Sequence, residues 1–252
     1  MNLFFRKTGE GSPLIILHGL FGSSDNWLSI AKVLGNNHTV YSVDQRNHGQ
    51  SPHSDFFNYK IMANDLKAFI EENNIDNPII LGHSMGGKTA MQFAVNNPKM
   101  LKKLILVDIG AKSYPIHHDT ILKGLNSINI DELKSRGEAD QQLSKYVSET
   151  GIRQFLLKNI ARSADGFKWK MNLPIIEKEI EQVGIGLSNN DFYKGDTLFI
   201  RGKNSNYILD EDIDGLNHHF PKYKLETIEN AGHWLHAEQP EKFVEIVKNF
   251  IK

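Results

Sequence analysis

Ile79-Ile80-Leu81-Gly82-His83-Ser84-Met85-Gly86-Gly87-Lys88-Thr89-Ala90-Met91 is the stretch on which the fold turns. Its first three apolar residues read as the end of a buried strand, and the run from Gly87 through Val95 carries helical periodicity. Glycines two before and two after Ser84 let strand and helix approach closely across a tight turn. There the serine takes a strained backbone conformation and presents its hydroxyl at the helix N-terminus as an exposed nucleophile. A Gly-x-Ser-x-Gly pattern arises by chance about 0.1 times in a chain of this composition, so the strand–turn–helix setting carries more weight than the pentapeptide. The plain alternative is a glycine turn with a helix-capping serine.

Outward from this turn, short apolar runs bounded by turn residues alternate with helical stretches, the rhythm of an α/β protein with a mostly parallel sheet. The expected strands are Leu14–Leu17, Thr39–Val43, Pro78–Leu81, Leu104–Val107, Thr197–Ile200 and Tyr223–Ile228, with Leu3–Arg6 as an antiparallel edge. Ile61, Met62, Leu66, Phe69 and Ile70 share one helix face, as do Phe243, Ile246, Val247, Phe250 and Ile251 near the C-terminus. Between Val107 and Thr197 the rhythm stops. Amphipathic helices are expected there over 140–147 and 154–161, which divides the chain into a core of residues 1–110 and 195–252 and a helical cap of residues 111–194 over the strand ends.

Composition narrows the chemistry. The 252 residues contain no cysteine, which excludes disulfides, thiol nucleophiles, zinc–thiolate sites and iron–sulfur clusters. With 29 Lys+Arg against 30 Asp+Glu the net charge is −1, so no whole-molecule field draws nucleic acid or anionic lipid, and small molecules are the expected partners. No apolar run approaches the ~18 residues that span a bilayer, and Met1–Lys7 lacks the apolar stretch of a secretory signal. The default location is therefore the cytoplasm. No His-Glu-x-x-His motif is present, and the adjacent pairs His117-His118 and His218-His219 diverge on regular structure, so neither metal nor cofactor is expected.

A serine hydroxyl needs a histidine base and a carboxylate to orient it. His233, in Gly232-His233-Trp234 just past the last strand, is the leading base, and His236 is its competitor. His18 and His83 flank glycine turns and read as loop-supporting imidazoles. The backbone N–H of Met85, directly after the nucleophile, is one expected oxyanion donor. The other comes from His18-Gly19-Leu20-Phe21-Gly22, from Leu20 with Phe21 as the alternative. That loop has neither the Gly-x-Gly-x-x-Gly nor the Gly-Lys-Ser/Thr pattern of phosphate binding.

The order HGLFG from His18, DQRNHGQS from Asp44, GHSMGGK from Gly82 and AGHW from Ala231 resembles the α/β-hydrolase superfamily over nearly the whole chain. The RNHG form at Arg46–Gly49 is similar to a branch of small bacterial esterases of the YbfF type. The resemblance implies an eight-stranded sheet, a helical cap inserted after the sixth strand, and cofactor-free hydrolysis of carboxylic or thioester bonds. Many members carry the acid after the strand that here runs Thr197–Ile200, but Asn204 and its neighbours there are uncharged. The branch it resembles places the acid at the end of the strand after the nucleophile, which makes Asp108 the candidate, with Asp210 second. Asp44 is expected to brace the RNHG loop.

Phe21, Trp169, Tyr207 and Trp234 are the large side chains expected in the substrate pocket. Basic residues of the cap, among them Lys145, Arg153, Lys158 and Lys170, suit either a solvated face or a phosphorylated carrier such as coenzyme A. The expected activity is that of a serine esterase or thioesterase acting through an acyl-enzyme. A carbon–carbon bond hydrolase of the same fold and a non-catalytic ligand-binding homologue are the rivals.

Overall fold

Leu14–Leu17 and Ile79–Gly82 are buried on both faces, so they need cover on both sides and take the centre of a parallel sheet. The computed structural model describes residues 1–252. The elements before Ser84 are β1 (Phe5–Thr8), β2 (Ser12–Leu17), α1 (Leu28–Leu34), β3 (His38–Val43), α2 (Tyr59–Glu72) and β4 (Ile79–His83). After Ser84 come α3 (Met85–Asn96) and β5 (Lys103–Val107). The long excursion follows, with α4 (Asp119–Asn126), α5 (Arg136–Leu143), α6 (Thr150–Leu157), the hairpin β6 (Ile160–Ser163) and β7 (Gly166–Trp169), and α7 (Leu173–Lys178). The core resumes with β8 (Thr197–Gly202), α8 (Ile213–His219), β9 (Tyr223–Ile228), α9 (Leu235–Glu238) and α10 (Pro240–Ile251).

The main sheet runs β1-β3-β2-β4-β5-β8-β9, parallel except for β1, which pairs antiparallel with β3. Side-chain alternation divides its core. Ile15, Leu17, Ile80, Leu104, Leu106 and Phe199 face one layer with Leu66, Phe69 and Phe93, whereas Leu14, Ile16, Leu81, Ile105 and Val107 face the other with Leu34, Phe243 and Val247. A third apolar cluster joins Leu20, Phe21, Tyr59 and Met85 to Leu125, Leu143, Leu156 and Ile160 of the excursion. No helix is long and apolar enough to cross a membrane.

Two details correct the sequence reading. The sheet has seven strands rather than eight, and the excursion leaves after β5, the fifth strand in the chain. The seven correspond to the seven segments expected as strands. No segment pairs outside β1, whose Arg6 and Lys7 suit a solvent-facing edge. Within the excursion, the helix expected over 154–161 stops at Leu157, and Ile160 pairs with Trp169 in the hairpin. Gly166 at φ +135° closes the Ala164-Asp165 turn, a conformation that glycine adopts without strain.

The two ends of the excursion are hydrogen-bonded to each other. Tyr114 N donates to Gly184 O at 2.8 Å, Leu187 N to Ala111 O at 2.9 Å, and Gly186 N to Ser113 Oγ at 3.0 Å. Lys88 of α3, 2% exposed, holds this neck from below by donating to Ala111 O and Lys112 O. Burial, and then the nearby Lys112 charge, push the Lys88 ammonium down to about 7.

Candidate active site

Parallel strands bring their C-terminal ends to one edge, and side chains just beyond those ends converge there. Ser84 follows β4 at φ 52°, a strained position for a non-glycine residue, on the sharp strand-to-helix turn expected from its flanking glycines. Gly82 and Gly86 make the turn possible: a Cβ on Gly82 would sit 2.3 Å from Gly86 O, and one on Gly86 2.4 Å from Leu17 O. Asp108, fully buried, follows β5 at φ 50°. His233 lies five residues past β9, and its Nδ1–H donates to Asp108 Oδ2 at 2.8 Å. This bond leaves Nε2 of His233 as the free basic nitrogen, and Ser84 and His233 line the same two cavities. They are not hydrogen-bonded to each other, a contact that in catalytic pairs commonly tightens only in the complex with substrate.

Asp108 is further held by Gly202 N, donating to Oδ1 at 3.1 Å, and by the Ser205 hydroxyl, donating to Oδ2. The strand end at 202–206 therefore supplies donors to a carboxylate on the neighbouring strand, where a carboxylate of its own was sought. Asp210 is 90% exposed in its side chain and pairs with Arg201 at 2.8 Å.

The histidines separate by what their nitrogens do. His83 Nε2–H donates to His233 O at 2.9 Å, fixing the backbone there, and its pKa lies well below the usual range through burial. His236 stacks on Trp27 with centroids 4.1 Å apart and is pushed down to about 3 by burial, with His233 adding to the effect. His18 donates from Nδ1 to Gly19 O at 2.8 Å and accepts the Gln45 amide on Nε2 at 3.0 Å. His48 donates from Nδ1 to Arg46 O at 3.0 Å and accepts the Phe21 amide at 3.2 Å. Burial holds these two neutral, at about 4 and about 3. Each ties the HGLFG loop and the RNHG loop together.

The amides of that loop differ in whether they have a partner. Phe21 N is committed to His48 and Gly22 N to Gly19 O, whereas Leu20 N and Met85 N, at the start of α3, have no partner within the chain. Asp44 braces the RNHG loop through backbone amides, accepting Ser24 N at 2.6 Å and Gln50 N at 2.8 Å. Its neighbour Arg46 reaches instead to Asp65 on α2, at 2.6 and 2.8 Å in a buried bidentate pair. The excursion docks on both loops, Asn159 Nδ2 donating to Phe21 O at 2.7 Å and Asn172 N to Asn47 O at 2.9 Å.

One cavity, of about 240 Å³, lies toward Trp27, Phe155 and Trp234, and the other, of about 390 Å³, toward Tyr59, Ile109, Tyr114 and Ile116. Leu20, His118 and Tyr207 join Ser84 and His233 in lining both. Phe21 and Trp234 line the first, but Trp169 reaches neither and packs against the third apolar cluster. No Lys, Arg, Asp or Glu lines either cavity. Of the basic residues in the excursion, Arg153 pairs with Asp140 at 2.9 Å and Lys170 with Asp25 at 3.3 Å. The residues missed from sequence are Ser205, whose hydroxyl gives no signal without a known partner, and His118, which reaches the site only through the path of the excursion.

Comparison with known proteins agrees with this architecture. Residues 12–127 match the family model described as the alpha/beta hydrolase fold. The chain is 34% identical over 243 residues to esterase YbfF of Escherichia coli, covering 96% of this chain and 94% of that one. It is 35% identical over 246 residues to the sn-1-specific diacylglycerol lipase ABHD11 of Mus musculus, covering 94% and 80% respectively. A solved structure described as a marine microorganism esterase superposes with a TM-score of 0.96 at 48% identity, covering 98% of both chains. The chain belongs to the α/β-hydrolase family and is a hydrolase of the esterase/lipase kind.

Proposed function

We propose that the protein is a serine esterase acting on uncharged carboxylic esters through a Ser84–His233–Asp108 triad. The observation that carries this reading is the 2.8 Å bond from His233 Nδ1 to a fully buried Asp108, with Ser84 at a strained strand–helix elbow on the same cavities. As Ser84 Oγ bonds to the substrate carbonyl carbon, its proton passes to His233 Nε2. The oxyanion is received by the free N–H groups of Leu20 and Met85, the latter at the positive end of α3. Collapse of the adduct expels the alcohol, which takes the proton from His233 and leaves an acyl-enzyme. Water then repeats the sequence, giving its proton to the same histidine and releasing the acid. Asp108 keeps the imidazole in its Nδ1–H tautomer and stabilises the imidazolium formed in each half. No metal or cofactor has a part in these steps.

The cavities favour a neutral substrate, because neither offers a lysine or arginine to a phosphate or carboxylate. Diacylglycerol, the substrate in the name of the mouse relative, is an uncharged ester and meets that requirement. Residues 111–194 act as the lid, supplying Ile121, Ile152, Phe155 and Leu156 to the cavity wall. A panel of chromogenic oxyesters and acyl-coenzyme A thioesters tests the reading, with Ser84→Ala as control. Turnover of the neutral esters, lost in Ser84→Ala, is expected, together with labelling of Ser84 by a fluorophosphonate. Full hydrolysis by Ser84→Ala would refute it, and a strong preference for the coenzyme A thioesters would overturn the neutral-substrate assignment.

A further inference from the structure

The ring of Tyr207 lies on the ring of His233, centroids 4.1 Å apart and planes 19° from parallel. We infer that Tyr207 is a positioning residue for the base: its aromatic face holds the imidazole in plane and stabilises the imidazolium that each half-reaction creates. This rests on the triad reading given above.

The stack is built from several directions. Tyr207 N donates to Ser205 Oγ at 3.3 Å, and that hydroxyl donates to Asp108, so one short loop carries both the support of the acid and the face against the base. Tyr207 O accepts the hydroxyl of Tyr114, which in turn accepts Gly110 N at 2.8 Å, tying the loop to the chain two residues past Asp108. His233 is thereby held at Nδ1 by Asp108, at its carbonyl by His83 and on a ring face by Tyr207. The other groups facing it are also aromatic, with His83 at 4.7 Å and Trp234 at 5.7 Å between centroids. His83, His236 and His118 are driven toward their neutral forms by burial, and Asp108 is the carboxylate bonded to the ring. A π face beneath a partly desolvated cation adds stabilisation that an aliphatic side chain of similar size lacks. The phenol hydroxyl is not part of this role, which separates it from a substrate contact through the same residue.

Tyr207→Phe keeps the face and removes the hydroxyl, whereas Tyr207→Leu removes the face. With a small neutral ester, Tyr207→Leu is expected to lower kcat about tenfold with KM changed less than about twofold, and Tyr207→Phe and Tyr207→Trp to keep at least about half of kcat. In the Ser84→Ala background, the ring protons of His233 should show an upfield ring-current shift in the NMR spectrum that survives Tyr207→Phe and moves clearly downfield in Tyr207→Leu. That readout needs no turnover, so it is independent of whether Ser84 is the nucleophile. A rise in KM at constant kcat, or equal losses in Tyr207→Phe and Tyr207→Leu, would reassign the residue to substrate binding. A His233 ring shift unmoved in Tyr207→Leu would dismiss the stack outright.

Discussion

Asp108 is buried, yet three donors converge on its carboxylate: Gly202 N, Ser205 Oγ and His233 Nδ1. Removing its charge while keeping its shape isolates its electrostatic part. Asp108→Asn is expected to lower kcat by about 10³–10⁴, as for a triad acid whose loss permits the wrong histidine tautomer. Asp210→Asn, altering an exposed partner of Arg201, is expected to stay within about twofold of the parent. Steady-state kinetics on one ester separates the two, and a larger loss in Asp210→Asn would reverse the assignment. Ser84 and His233 were legible because glycines mark sharp turns wherever they fall at the end of an apolar run. Ser205 was not, since a hydroxyl becomes a carboxylate's partner only once β5 and β8 are known to be neighbours. The Trp169 expectation failed for the same reason: size and aromaticity mark a buried side chain without saying which cavity it faces.

The loop between β3 and α2 is anchored by the bidentate contact of Arg46 with Asp65, both side chains under a tenth exposed. Removing one partner strands the other charge in a low-dielectric site, so Asp65→Ala is expected to cost about 3–5 kcal/mol in urea denaturation. Loss of that loop should also reduce activity, because His48 on it holds Phe21 and hence the amides next to Ser84. A cost under about 1 kcal/mol would mean the pair is replaceable by solvent. Strands β2 to β5 were readable within a residue or two, β2, β4 and β5 because each carries a continuous apolar run covered on both faces, and β3 because Val40 and Val43 stand among β-prone Thr39 and Tyr41. The hairpin β6–β7 was hidden because Ile160 continues the helical spacing of Phe155 and Leu156, and only its pairing with Trp169 turns it into a strand.

Across the molecule, His18, His48 and His236 are buried in neutral form, with folded pKa values of about 4, about 3 and about 3 against 6.5 when exposed. The unfolded chain therefore binds more protons than the folded one between about pH 6.5 and pH 4. The stabilisation is complete above about pH 6.5 and is lost as pH falls, at about 1.4 kcal/mol per pH unit for each such histidine. Three together approach the whole net stability of a domain, about 5–15 kcal/mol, within roughly two units below neutrality. Thermal unfolding followed from pH 7.5 to pH 5 should show a steep fall in Tm. A flat profile would mean that water or rearrangement accommodates the charged imidazoles. The excursion of residues 111–194 closes upon itself at Ala111–Tyr114 and Gly184–Leu187 before either end meets the sheet. To the sheet, those eighty-odd residues amount to a short tied-off stalk, and changes in length beyond the knot add only a logarithmic entropy penalty. A change in length beyond the knot thus leaves the pairing of β5 with β8 undisturbed and is felt instead where Asn159 and Asn172 meet the loops beside Ser84.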